Sequence, residues 1–219
     1  MKTATMLNDL NGVSSSFSME EKVARVVVLG RKGVGKTALV VRCLTKRFLP
    51  EYAPCHETYY KYRNRDLKKD GKELEMLIID SDGQVKSITV PYLSSSIQNN
   101  DIYLNSEAFI LVYSVTSRKS LESIEAIIRK IRILNRNEAA IIIVANQIDL
   151  IQKREVSTYD GVTMATKHQA EYYEVSVAND VEQVVELFNK VCQRIAVDTK
   201  NKTKTTQKII DMFKRRGST

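Results

Sequence analysis

Eight residues, Gly30-Arg-Lys-Gly-Val-Gly-Lys-Thr37, constrain this chain more than any other segment. They fit the pattern Gly-x4-Gly-Lys-Thr of a phosphate-binding loop. The flanks fit as well. Val23–Leu29 is an apolar, β-branched run of strand character, and Ala38–Leu44 reads as a helix. A strand–loop–helix unit of this kind lets Gly30 and Gly35 turn backbone N–H groups inward around phosphate oxygens. Lys36 then carries an ammonium toward the terminal phosphates, and the Thr37 hydroxyl suits Mg²⁺. The helix N-terminus adds partial positive charge.

The remaining strands and helices alternate around that unit. Tyr59–Leu67 and Leu74–Ile79 read as strands joined by the turn signal Asp70-Gly71. Ala108–Val115 and Ala139–Ala145 read as buried strands, and Glu171–Val175 as a short one. Apolar residues at Leu121, Ile124, Ile127, Ile128, Ile131 and Leu134 recur at helical spacing over Ser120–Leu134. Further helices are expected over Thr158–Lys167 and Val181–Val197. The fold class is therefore α/β: a P-loop fold with a mostly parallel six-stranded sheet, one antiparallel edge hairpin and helices on both faces. Residues 1–22 read as a mobile extension, 23–197 as the folded domain and 198–219 as a basic tail.

Length and charge narrow the classes. The 219 residues suit one domain with tails. No apolar run reaches the roughly 18 residues a spanning helix needs. Three cysteines, Cys43, Cys55 and Cys192, are odd in number and far apart, which suits reduced thiols. Lys200–Thr219 holds seven Lys or Arg against one Asp, so +6 of the chain's +8 sits in the tail. The basicity says little about the folded body, and no specific nucleic-acid site is expected.

Ligand sites in such sheets form at the carboxyl ends of the strands. Chemistry recurs there at Gly30, Asp80, Asn146 and Ser176. Asp80 is a carboxylate able to hold Mg²⁺ through water, Gly83 can bring an N–H to a terminal phosphate, and Gln84 is the candidate to orient an attacking water. Asp149 in Asn146-Gln-Ile-Asp149 can accept two hydrogen bonds from a guanine edge, a donor pair adenine lacks. Asn146 would tie the base to the phosphate loop, and Glu174-Val-Ser-Val177 would supply a backbone N–H to the guanine oxygen.

In order and spacing, Gly30–Thr37, Phe48–Tyr59, Asp80–Gln84, Asn146–Asp149 and Glu174–Val177 resemble the Ras-like small GTPases over roughly Lys22 to Val197. The loop with Ala38–Arg42 and Leu44–Phe48 looks nearest to the subgroup of the Ras-related, oestrogen-regulated growth inhibitor. The resemblance implies GTP/GDP and Mg²⁺ as ligands, with nucleotide contacts from Gly30, Gly33, Val34, Gly35, Lys36, Thr37, Ala38, Phe48, Gly83, Asn146, Gln147, Asp149, Ser176 and Val177. It implies metal contacts from Thr37 and, through water, Asp80. Phe48 should lie edge-on to the base. Protein effectors and regulators would use switch loops 48–59 and 80–99.

Five positions depart from that family. Cys55 stands where a threonine would bind Mg²⁺, and sulfur is a poor ligand for a hard cation, so Cys55 is a doubtful ligand. His56 beside it would affect partner choice. Lys32 replaces a glycine and crowds the entry of a partner's arginine. Asp82 replaces an alanine, and a carboxylate about 6 Å from a γ-phosphate oxygen repels it by roughly 2–4 kcal/mol at an effective dielectric near 20. Lys32 and Asp82 are expected to face each other and partly cancel. Gln147 replaces the lysine whose stem covers the base, and Val177 enlarges an alanine, so GDP should leave faster than is usual for the family.

The ending Arg216-Gly-Ser-Thr219 has no prenylation box, and Met1-Lys2 does not suit N-myristoylation. Weak contact of the basic tail with a membrane surface, a nuclear signal and a solvated tail all remain open. A cytoplasmic location, with a nuclear one as alternative, is expected. The leading reading is a guanine-nucleotide switch with weak hydrolysis through Gln84. The alternative is a pseudo-GTPase serving as an interaction module. An ATP-using P-loop kinase is disfavoured by Asp149.

Overall fold

The computed structural model describes residues 23–49, 58–69, 72–81, 103–135 and 138–216. Six strands form one sheet: β1 (Ala24–Leu29), β2 (Thr58–Lys69), β3 (Lys72–Asp80), β4 (Ala108–Ser114), β5 (Ala140–Asn146) and β6 (Glu171–Glu174). Their order is β2-β3-β1-β4-β5-β6. β1 pairs in parallel with β3 and β4, β4 with β5, and β5 with β6. Only the edge pair β2–β3 is antiparallel. The helices are α1 (Lys36–Thr45), α2 (Arg118–Leu134), α3 (Thr158–Lys167) and α4 (Val181–Arg216). The expected mostly parallel sheet with one antiparallel edge is the one observed.

Two apolar layers explain why the central strands β4 and β5 read as nearly unbroken apolar runs. Successive strand residues face opposite sides of the sheet. Val26, Val28, Ile110, Val112, Ile142 and Val144 join Leu39, Val40 and Cys43 of α1 and Leu187, Phe188 and Val191 of α4 in one cluster. Their neighbours Val27, Leu29, Phe109, Leu111, Ile141 and Ile143 join Leu121, Ile124, Ile128 and Ile131 of α2 in the other. A strand covered on both faces has no position at which a polar residue would be solvated. At about 1.5–3 kcal/mol for each fully buried large aliphatic or Phe side chain, the two layers are the main source of stability.

Local chemistry sets the helix ends. In α2 the Ser120 hydroxyl donates to the Ser117 carbonyl and accepts from the Ser114 N–H, so the first turn is fastened to the end of β4. α3 opens on a capping box in which Ser157 and Asp160 satisfy each other's backbone N–H groups. Gly161 of α3 is needed for close approach, because a Cβ there would fall 2.5 Å from the Tyr113 hydroxyl and Tyr172.

The last helix departs from the expectation that it ends at Val197. α4 runs 36 residues, to Arg216. Ile195 is the last of its residues in the apolar layer, so the basic segment continues as helix beyond the packed body. Residues 1–22 and the Asp70-Gly71 turn lie outside the described residues. Among the described residues, no helix is long and apolar enough to cross a membrane.

Candidate functional site

The phosphate loop leaves β1 at Gly30 and enters α1 at Lys36, with three glycines at positive φ: Gly30 at 146°, Gly33 at 87° and Gly35 at 95°. Two of them are sterically required. A Cβ on Gly30 would sit 2.1 Å from the Val112 carbonyl oxygen, and one on Gly35 would sit 2.3 Å from Asn146 Nδ2. α1 begins with no acidic residue in its first turn, so its N–H groups and dipole remain available to an anion. Buried Lys36 sends its ammonium to the Arg31 carbonyl at 3.1 Å, across the loop. Lys32 is exposed, and Ala38 packs on the apolar layer beneath α1.

Asp80 closes β3 one strand away, in register with Val28. Its Oδ2 accepts from the Thr37 hydroxyl at 2.6 Å. Its other oxygen, Oδ1, is buried with no hydrogen-bond partner among the described residues. Burial pushes the carboxyl above its ordinary range, opposed by the Thr37 hydroxyl and the Lys36 charge. A buried carboxylate oxygen with nothing to pair it, beside a threonine hydroxyl, fits the hard, oxygen-seeking character of Mg²⁺. The Mg²⁺ expectation at Thr37 and Asp80 thus fits the residues present.

The base-side residues meet at the ends of β5 and β6. Asn146 is buried and works in two directions. Its Nδ2 donates to the Val34 carbonyl at 2.9 Å, and its Oδ1 accepts from the Val177 N–H at 3.2 Å. The Ser176 hydroxyl donates to Asp149 Oδ1 at 2.6 Å and accepts from the Asn179 N–H. Asp149, Asn146, Ser176, Val177 and the phosphate loop therefore form one connected group. Two backbone donors at this strand end are engaged within the protein: Val177 N–H by Asn146, and Ser176 N–H by Gln183 Oε1 at 3.3 Å.

A second layer braces that group. Arg154 Nη1 and Nη2 meet the two oxygens of Glu174, each at 3.2 Å, and the Thr158 and Tyr172 hydroxyls donate to Glu174 Oε1 at 2.8 Å. Burial alone would raise the Glu174 pKa, but these donors outweigh it and hold the carboxyl below its ordinary value.

Gln147 has a non-glycine left-handed φ of 67°. Its Oε1 accepts from the Ser114 hydroxyl at the end of β4. Ser114 and Thr116 were missing from the sequence-derived set, although the rule that located the other residues also points to the end of β4. Phe48 is 39% exposed in the segment after α1. Cys55, His56, Asp82, Gly83, Gln84 and most of loops 48–59 and 80–99 lie outside the described residues. A polar cavity of about 660 Å³, lined by Arg132, Lys167, His168 and Arg194 among others, contains none of the motif residues. It opens at the amino ends of β5 and β6, opposite the edge that carries the motif residues.

A sheet with its phosphate loop after β1, a threonine–aspartate pair beside it and an Asn-x-x-Asp group opposite has relatives among known proteins. The family model described as "Ras family" matches residues 25–197. Ras-like protein family member 11B of Xenopus laevis is 34% identical over 189 residues, covering 86% of this chain and 74% of its own. Ras-like protein family member 11A of Homo sapiens is 33% identical over 185 residues, covering 84% and 74%. The Ras-related and estrogen-regulated growth inhibitor of Homo sapiens is 33% identical over 174 residues, covering 78% and 80%. Edge geometry, motif order and these likenesses agree: this chain belongs to the Ras family of small GTPases.

Proposed function

We propose that the chain is a guanine-nucleotide switch that binds GTP and GDP with Mg²⁺ and hydrolyses GTP slowly. One observation carries this reading: Asn146 bonds Val34 on one side and Val177 on the other, so the phosphate loop and the base-side loops are a single site. Phosphate oxygens would meet the N–H groups of residues 33–38 and the Lys36 ammonium, which would leave the Arg31 carbonyl for them. Asp149 would keep Oδ1 on Ser176 and still accept from a guanine edge. Thr37 and Asp80 would hold Mg²⁺, which when bound supplies positive charge to the terminal phosphates. Gln84 would orient the water. Effectors and regulators would read loops 48–59 and 80–99, and the basic helical segment 198–216 would give at most weak contact with an anionic surface.

The second reading, a pseudo-GTPase used as an interaction module, is favoured by Gln147 standing where the resemblance implies a base-covering lysine and by exposed Lys32 in the loop. One experiment separates them: denature freshly purified protein and identify the released nucleotide by chromatography. Released GDP supports the switch, GTP supports retention without turnover, and no nucleotide supports the interaction module. An adenine nucleotide overturns the role given to Asp149.

A further inference from the structure

We propose that Ser114, backed by Thr116, is a positioning residue that holds Gln147 and through it the turn carrying Asp149, and so sets how long a bound guanine nucleotide stays. The proposal rests on the nucleotide reading above.

Ser114 ends β4 in register with Asn146, the residue before Gln147. Gln147 then takes a left-handed φ of 67°, a conformation that a residue with a Cβ disfavours. Local bonds hold it there. The Val115 N–H donates to the Asn146 carbonyl at 3.0 Å, the Leu150 N–H to the Gln147 carbonyl at 3.0 Å, and the Ser114 hydroxyl to Gln147 Oε1. The first two are backbone bonds and make the turn Gln147–Leu150. The third alone fixes a side chain, and it involves a serine that is 4% exposed.

Counting protons gives this cluster a direction. A hydroxyl has one proton to donate and two lone pairs to accept with. Ser114 spends its proton on Gln147 Oε1. Thr116 Oγ1, 2.7 Å from Ser114 Oγ, must therefore be the donor of that pair, and the Thr116 N–H donates to Ser114 Oγ at 3.1 Å. Ser114 Oγ is thus filled: two bonds accepted, one donated. The chain runs Thr116 to Ser114 to Gln147, and each bond polarises the next. Gln147 is the first residue of the turn and Asp149 the third, so a loose Gln147 loosens the carboxylate that reads the base. Ser114 touches no nucleotide in this scheme; it acts through Gln147.

The test is a double-mutant cycle on GDP release, followed with fluorescently labelled GDP chased by excess GDP in the presence of Mg²⁺. Ser114→Ala should speed release roughly three- to tenfold, the effect of one lost hydrogen bond. In a Gln147→Ala background, Ser114→Ala should change the rate by less than about twofold, because the bond is already gone. A purely structural role for Ser114 would speed release equally in both backgrounds, and that result overturns the proposal. Thr116→Val, at a half-buried position, provides the same reading if Ser114→Ala fails to fold: faster release is expected, and an unchanged rate overturns the proposal. Wild-type protein that retains no guanine nucleotide sinks the functional reading and this inference with it. Wild-type retention with additive substitutions sinks this inference alone.

Discussion

Replacing each loop glycine in turn by alanine separates two causes that the loop combines. All three have positive φ, but a new methyl group meets different things. At Gly33 it meets no atom of the described residues within 4 Å, so the backbone conformation carries the penalty. That penalty is about 1–2 kcal/mol for an L-residue. At Gly35 the methyl would fall 2.3 Å from Asn146 Nδ2, the far end of a side chain. Asn146 must move, which endangers its bonds to Val34 and Val177. Two buried hydrogen bonds at about 0.5–1.5 kcal/mol each bring the Gly35→Ala cost to about 2–5 kcal/mol. At Gly30 the obstacle is the Val112 carbonyl oxygen at 2.1 Å, part of β4 itself. A central strand cannot move aside, so Gly30→Ala should be the most damaging, at 4 kcal/mol or about that and upward.

Thermal unfolding in excess GDP and in nucleotide-free buffer reads these costs. For a chain of this size, 1 kcal/mol moves the midpoint by about 2–4 °C. Gly33→Ala should lose a few degrees, equally in both buffers. Under the proposed function Gly35→Ala should lose clearly more in GDP than without it, because Asn146 would join the two halves of the nucleotide site and the ligand's stabilisation falls with its affinity. Gly30→Ala should yield little folded protein. Gly33→Ala as damaging as Gly35→Ala, or Gly35→Ala with the same loss in both buffers, would refute the reasoning from contacts.

Thr37→Val removes the one partner that Asp80 Oδ2 has among the described residues, where Oδ1 has none; about 1–3 kcal/mol of stability should go, and EDTA should speed GDP release much less than in the wild type. Glu174→Gln breaks the two-pronged contact with Arg154 at a site where both side chains are about a quarter exposed; a loss of about 1–2 kcal/mol in urea denaturation is expected, discounted for that exposure. Glu125 is lowered to about 2 by Lys167 and Arg129, and Asp160 to about 2 by Arg118 and Ser157, from 4.5 and 3.8. Carboxyls depressed by folding stabilise above their unfolded values, so stability should fall as pH drops from about 4.5 to about 2, and Asp160→Asn should flatten that fall in a series of melting curves. Lys32→Gly should weaken GTP binding more than GDP binding in a titration of the nucleotide-free protein, and equal weakening would end the idea that Lys32 offsets Asp82.

What was legible in the sequence was mostly local. β1, the phosphate loop and α1 are consecutive, and the central strands β4 and β5 show their burial on both faces as nearly unbroken apolar runs. The end of α4 was misread because its apolar positions pause after Ile195. Yet no Gly or Pro interrupts residues 181–216, and Lys, Arg and Gln are good helix formers, so nothing stops the helix before Gly217. Gln147 was recognised as unusual, but its contact with Ser114 joins residues 33 apart, and only the in-register pairing of β4 with β5 brings them together.

Those two halves of the site bear different functional loads. Asn146, Asp149, Ser176 and Asp80 lie at or just past the carboxyl ends of strands and Thr37 in the first turn of α1, and each has a partner on another element. A group held from both sides keeps its geometry whether or not a terminal phosphate is present. Lys32, Cys55 and Asp82 are different: all three would act near that phosphate, where GTP differs from GDP. These three departures act on the difference between the two nucleotides, whereas Gln147 and Val177 act at the base and on how long either nucleotide stays. Under the proposed function, the choice of guanine therefore rests on the sheet edge and the lifetime of GDP on Gln147 and Val177, while the affinity for GTP and its hydrolysis depend on loops 48–59 and 80–99 and on how well Lys32 offsets a carboxylate at position 82.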